Sequence, residues 1–109
     1  MFVRTEIDFI AQLKYKKQGG QQTPVYSGYR PHIEFEDIPE MKTSGQQLFV
    51  EQEVVYPGDE VTAKITLLLH EYMEGRLYQH QKFSFYEGAT KMGDGTIVEI
   101  VNKKLERLQ

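Results

Sequence analysis

A chain of 109 residues with a net charge of -3 and no cysteine has the length of one domain. It excludes disulfides, cysteine-bound zinc and a thiol nucleophile. The ordinary balance of hydrophobic and charged residues excludes a disordered or membrane-embedded chain, and the acidic balance argues against gripping nucleic acid by bulk charge.

Short apolar runs set the next limits. The longest near the centre is Leu67-Leu68-Leu69, whereas a membrane helix needs about 20 apolar residues, so no span is expected. Met1 to Glu6 lack a basic start followed by an apolar stretch, so no signal peptide is expected. With no cysteine to protect, the expected location is the cytoplasm.

The dominant sequence period is two. Ile7, Phe9, Ala11, Leu13 and Tyr15 alternate with Asp8, Gln12 and Lys14, with Ile10 as the exception, which predicts a half-buried strand. Gly19-Gly20, Thr23-Pro24 and Ser27-Gly28 predict a loop. Ile33 and Phe35 alternate with His32, Glu34 and Glu36 in a second strand. Pro39 and Ser44-Gly45 bracket a predicted turn, and Leu48 to Val55 reads as a third strand. Pro57-Gly58-Asp59 signals a turn, because proline presets φ and glycine accepts a positive value.

Val61, Ala63, Ile65, Leu67 and Leu69 form the clearest strand, with Thr62, Lys64 and Thr66 facing away. Phe83 and Phe85 mark a fifth. After Gly88, and again after Gly95, a final strand runs through Ile97, Val98, Ile100 and Val101. Regular short strands divided by Gly and Pro predict an all-β fold, a six-stranded antiparallel closed barrel. Closure also removes exposed strand edges. Ile65, Leu67, Phe83, Phe85 and Phe35 are the predicted core. Residues 102–109 form a short tail that only Leu105 and Leu108 can anchor.

Motifs for chemistry are missing. Gly93-Asp94-Gly95 and Gly19-Gly20 lack the Lys-Ser/Thr that completes a phosphate cradle, so no nucleotide binding is expected. His32, His70 and His80 lack the short spacing of a metal site. No nucleophile elbow is present, and Glu34 with Glu36 reads as a solvated strand face. We expect no catalytic residue, no metal and no cofactor. The phenylalanines suit the core and the tyrosines the barrel rims, while Tyr26, Tyr29 and Tyr86 are candidates for a contact surface. Two basic clusters, Lys14-Tyr15-Lys16-Lys17 and Lys103-Lys104 with Arg107, read as solvated charges.

Gly19-Gly20-Gln21-Gln22-Thr23-Pro24-Val25-Tyr26-Ser27-Gly28-Tyr29-Arg30-Pro31 resembles a signature of elongation factor Tu. In that family a Gly-Gly loop leads into Thr-Pro, two bulky residues and Gly-Tyr-Arg-Pro. Val55-Tyr56-Pro57-Gly58-Asp59 is similar to its Met-Pro-Gly-Asp turn, and Val61 to His70 to the strand that follows. Phe83 to Gly88 is similar to its Arg-Glu-Gly-Gly strand and turn, and Gly93-Asp94-Gly95 to its Gly-Ala-Gly. The resemblance covers about residues 7–101 and is to the family's third, C-terminal barrel, here without a GTPase domain.

That resemblance implies a domain that does no chemistry and contacts tRNA or translation-associated proteins. Glu87 and Gly88 match the Glu-Gly beside the tRNA T-stem, and His32 takes a position also near RNA. Arg30 matches the motif's arginine, with a structural role implied. Tyr86, Ala89 and Thr90 replace Arg, Gly and Arg, which removes two positive charges, and Glu34 and Glu36 add negative ones near His32. The candidate binding residues are therefore His32, Glu87, Gly88, Thr90, Tyr29 and Tyr86. Two expectations stay open: a translation-factor-like module contacting RNA or translation proteins, or a protein-interaction module, as a homo-oligomer or a mimic of elongation factor Tu, without RNA.

Overall fold

The computed structural model describes residues 6–17 and 23–108. The expected Gly19-Gly20 loop and residues 1–5 lie outside them. The strands in chain order are β1 (Phe9–Tyr15), β2 (Val25–Tyr26), β3 (His32–Phe35), β4 (Lys42–Phe49), β5 (Val54–Val55), β6 (Glu60–Leu67), β7 (Lys82–Glu87) and β8 (Thr90–Ile100). Six of them close a barrel in the order β1-β6-β4-β3-β7-β8, while β2 and β5 pair with each other outside it. Every pairing is antiparallel. The expected six-stranded closed barrel is the fold.

Alternation builds the interior. Phe9, Ala11, Leu13 and Tyr15 of β1, Val61, Ala63, Ile65 and Leu67 of β6, and Phe83 and Phe85 of β7 all point inward and are buried. All five predicted core residues are among the buried ones. Phe9, Phe35 and Phe83 pack as a ring cluster with centroids 5.6–6.2 Å apart. Toward the opposite end, the Tyr15 ring meets Phe85 at 5.0 Å and Phe49 at 6.3 Å, both edge-on, an arrangement aromatic quadrupoles favour.

The third strand lies earlier than the sequence predicts. It is β4, Lys42–Phe49, and the chain then breaks before β5. Ser44-Gly45, read as a turn, sits inside β4. Gly45 faces inward where an added Cβ would lie 2.3 Å from Ile33 Cδ1, so the glycine makes room for packing rather than for a bend. Gly93 and Gly95 likewise lie within β8, which begins at Thr90. Their missing Cβ atoms would meet the tips of Phe85 and Phe83 at 2.6 and 2.2 Å. Small inward residues opposite large ones fill a narrow barrel.

Two bulges explain the breaks in alternation. The β1–β8 register shifts between Ile10 and Ala11, where Ile10 faces Glu99 and Ala11 faces Ile97. The extra residue turns Val98 and Glu99 both outward. The β7–β8 register shifts at Phe85/Tyr86, leaving Met92 unopposed and buried beside Gly93. Strand β6 ends at Leu67, so Leu69 is exposed instead of completing the row. A 3-10 turn, His70–Met73, follows and buries Met73.

Asp8, placed by alternation on the polar face, is fully buried. Its carboxylate accepts hydrogen bonds from Leu67 N at 2.7 Å and Asn102 Nδ2 at 3.0 Å. It thereby ties the end of β6 to the start of the tail. The tail forms a 3-10 turn, Lys103–Leu105, and is anchored by fully buried Leu105 and by Arg107 N donating to Leu77 O at 2.7 Å. Leu108, the other predicted anchor, is exposed. The Arg107 guanidinium instead stacks 4.0 Å from the Tyr78 ring centroid, a cation–π contact.

Candidate functional site

The site residues gather where β3 begins and β7 turns into β8. Glu87 pairs with Thr90 across a two-residue turn, Gly88-Ala89, and Gly88 has φ +60. A two-residue hairpin needs a positive φ at that first central position, which glycine adopts without strain. Register places His32 opposite Tyr86, and Tyr86 opposite Lys91. Tyr29 reaches the turn from outside the barrel, its hydroxyl donating to Glu87 Oε1 at 2.7 Å. His32, Tyr29, Tyr86, Glu87, Gly88 and Thr90 therefore form one surface at one end of the barrel.

Beneath that surface lies a polar connection into the core. Tyr29 N–H donates to Tyr26 O, and its carbonyl accepts from Gln47 N at 2.8 Å. Gln47 is fully buried on the inner face of β4, and its Oε1 accepts the Tyr15 hydroxyl proton. Gln47 Nε2 is buried without a hydrogen-bond partner among the described residues. Sequence reasoning missed Gln47. The only signal was its place in the row Thr43, Gly45, Gln47, Phe49, which a turn at Ser44-Gly45 had interrupted.

These contacts bear on two phenols. Burial pushes the Tyr15 hydroxyl far above its ordinary value, and the nearby Tyr29 adds to the effect. Burial also raises Tyr29, with the Glu87 hydrogen bond and charge contributing after it. A phenol whose folded pKa exceeds its unfolded value stabilises the fold fully below the unfolded value, near 10. That contribution is lost as pH rises above it. Stability should therefore fall steeply above about pH 10, and Tyr15→Phe should flatten that fall. Urea melts at a series of alkaline pH values check this; an unchanged slope in Tyr15→Phe would contradict the assignment.

Charge around the site is mixed. Lys91 Nζ lies 2.8 Å from Asp94 Oδ1, and Ser84 Oγ donates to the same carboxylate at 2.8 Å. Burial raises the Asp94 pKa, but the Lys91 and Ser84 hydrogen bonds outweigh it, with charge from Lys91 and Lys16 adding to a net lowering. Lys14 stands opposite both Asp94 and Glu60 in its two ladders. Carboxylates therefore stand beside both Lys14 and Lys91. Arg30 is exposed and makes no ion pair or side-chain hydrogen bond among the described residues, in place of the structural role expected for it.

The histidines lie apart in the fold: His32 opens β3, His70 opens the first 3-10 turn, and His80 precedes β7 with φ 77. Among the described residues no group of three or more His, Asp or Glu is placed to hold a metal ion. No helix among them is long and apolar enough to cross a membrane. Large exposed apolar and aromatic side chains include Tyr26 and Tyr56 on and next to the small outer sheet, and Leu68 and Tyr72 after β6. No family model matches the chain.

Proposed function

We propose that this chain is a non-catalytic, cytoplasmic binding module resembling the C-terminal barrel of elongation factor Tu, and that it engages its partner through the β3 start and the β7–β8 turn. The observation that carries this reading is convergence. His32 and Tyr29 come from one stretch of sequence and Tyr86, Glu87, Gly88 and Thr90 from another more than fifty residues away, yet register and the Tyr29–Glu87 hydrogen bond bring them together. The resemblance implies that Glu87, Gly88 and His32 lie near RNA.

Two positions there hold Tyr86 and Thr90 where the resembling family has arginine. Lys91 is held by Asp94. Phosphate contacts by Lys and Arg supply most sequence-independent RNA affinity, so this face has a weakened RNA grip. The same feature favours a second reading, a protein-interaction module that uses the elongation-factor-like face toward proteins.

A tRNA titration separates the two. Filter binding should give a dissociation constant no tighter than about 10⁻⁴–10⁻⁶ M that weakens further with salt. Tyr86→Arg with Thr90→Arg should tighten binding and steepen the salt dependence by roughly one per added phosphate contact. Tight, salt-resistant binding by the unaltered chain would refute the weakened grip. No gain from the double variant would assign the face to a protein partner.

A further inference from the structure

The two-stranded sheet outside the barrel presents a face that the barrel does not use. Val25 and Val55 are register partners and both are buried, so alternation turns their neighbours outward. Tyr26 and Val54 are the other pair, and Tyr56 follows Val55 on the same side. Tyr26 is 66% exposed and Tyr56 54%, which is unusual for two large aromatic residues on one small sheet.

Acidic residues flank them. Ser27 N donates to Glu53 O at 2.8 Å, which places the 51–53 turn against the end of β2. Glu51 holds φ 69, a left-handed conformation that a non-glycine residue adopts at a cost. Glu51 and Glu53 are exposed and in no ion pair among the described residues. Residues 23–29 and 50–60, the segments that build this face, contain Glu51, Glu53, Asp59 and Glu60 and no Lys, Arg or His. One of those acids, Glu60, stands opposite Lys14 in the β1–β6 ladder, and the Lys17 stem lies beside Gly58. Glu51 and Glu53 keep their charge unanswered.

We infer that the Tyr26–Tyr56 face, with Glu51 and Glu53, docks an arginine-bearing peptide segment of a partner protein. The chemistry is complementary in both parts: the guanidinium plane stacks on a tyrosine face, and its fork of N–H donors matches a carboxylate. An anionic partner such as RNA meets like charge here. This surface is separate from the β7–β8 turn, so the inference goes beyond the function proposed above and fails or holds independently of it.

The test uses fluorescein-labelled peptides of alternating glycine with arginine, lysine or glutamate, read by polarisation. The arginine peptide should bind, the lysine peptide about fivefold more weakly because an ammonium stacks less well, and the glutamate peptide not at all. Tyr26→Ala with Tyr56→Ala should weaken arginine-peptide binding about tenfold. Glu51→Gln with Glu53→Gln should do so to a similar extent, about tenfold. Glu74→Gln with Glu99→Gln makes the same charge change at exposed positions toward the other end of the barrel, and should leave affinity within about twofold. No binding of the arginine peptide would overturn the proposal. Equal losses in both glutamine pairs would overturn it too, since attraction to net charge would then suffice. Thermal melts of each variant confirm that the fold is intact before binding is compared.

Discussion

Phe83→Ala is expected to lower the free energy of unfolding by about 3–5 kcal/mol, the usual cost of removing a buried ring. Phe83 is 1% exposed and its ring lies against Phe9 at 5.8 Å and Phe35 at 5.6 Å. Its tip also fills the space that Gly95 leaves open. Neighbouring strands are hydrogen-bonded on both sides in a closed barrel, so the cavity has little room to collapse. A loss of that size is a large share of the total for a domain whose stability is about 5–15 kcal/mol. Urea unfolding followed by circular dichroism measures it, and a midpoint unchanged from the parent would show that the ring is not in the core.

Gly95→Ala is the second large expected effect, and it comes with a built-in control. A Cβ at position 95 would lie 2.2, 2.5 and 2.8 Å from three atoms of the Phe83 ring. Overpacking of this kind typically costs about 1–3 kcal/mol. The obstruction is one side chain, so the cost should vanish when that side chain is cut back. In a Phe83→Ala background, Gly95→Ala should be neutral or stabilising, a coupling of at least about 1 kcal/mol between residues in contact. Gly93→Ala should behave differently. Its Cβ would lie 2.4 Å from the Lys14 carbonyl oxygen as well as 2.6 Å from Phe85. Backbone cannot be trimmed away, so Phe85→Ala should not rescue it. Additive effects at the 83/95 pair would contradict the packing described.

The residues that were legible share one property: the inward row around them is apolar at every second position. Strands β1 and β6 were read from Phe9 to Tyr15 and from Val61 to Leu67 because each inward residue is apolar and, Ile10 apart, each outward one polar. The type of turn at Pro57-Gly58 was also readable. Gly58 has φ +90 and Asp59 N donates to Tyr56 O at 3.0 Å, as a proline–glycine turn requires. Misreadings arose where local chemistry and tertiary packing disagree. Gly45, Gly93 and Gly95 resemble turn formers, yet their absent side chains are demanded by Ile33, Phe85 and Phe83 across the barrel. Asp8 looks like a surface residue and is instead an acceptor for the β6 end and the tail, a role created only when residues 59 and 94 positions away come back to it.

The contacts that bring the candidate residues together were not legible in the sequence. His32 facing Tyr86 follows from strand order, which no local pattern encodes. The Tyr29–Glu87 hydrogen bond spans 58 positions, and the buried Gln47 that links Tyr29 to Tyr15 had no local signal beyond its place in an alternating row. Charge was partly readable: the uncharged Tyr86 and Thr90 are visible in the sequence, whereas the pairing of Lys91 with Asp94 is visible only in the folded chain.

The most direct test of the proposed contact face is an amide-resolved titration. Nitrogen-15 spectra of the chain, recorded at low salt with increasing tRNA, should shift at residues 29–32 and 86–91 and leave the tail, residues 102–108, unmoved. The Tyr86→Arg, Thr90→Arg variant should shift the same residues at lower tRNA concentration. Shifts centred on the tail or on the 70–75 segment, with residues 29–32 and 86–91 silent in both proteins, would contradict the account.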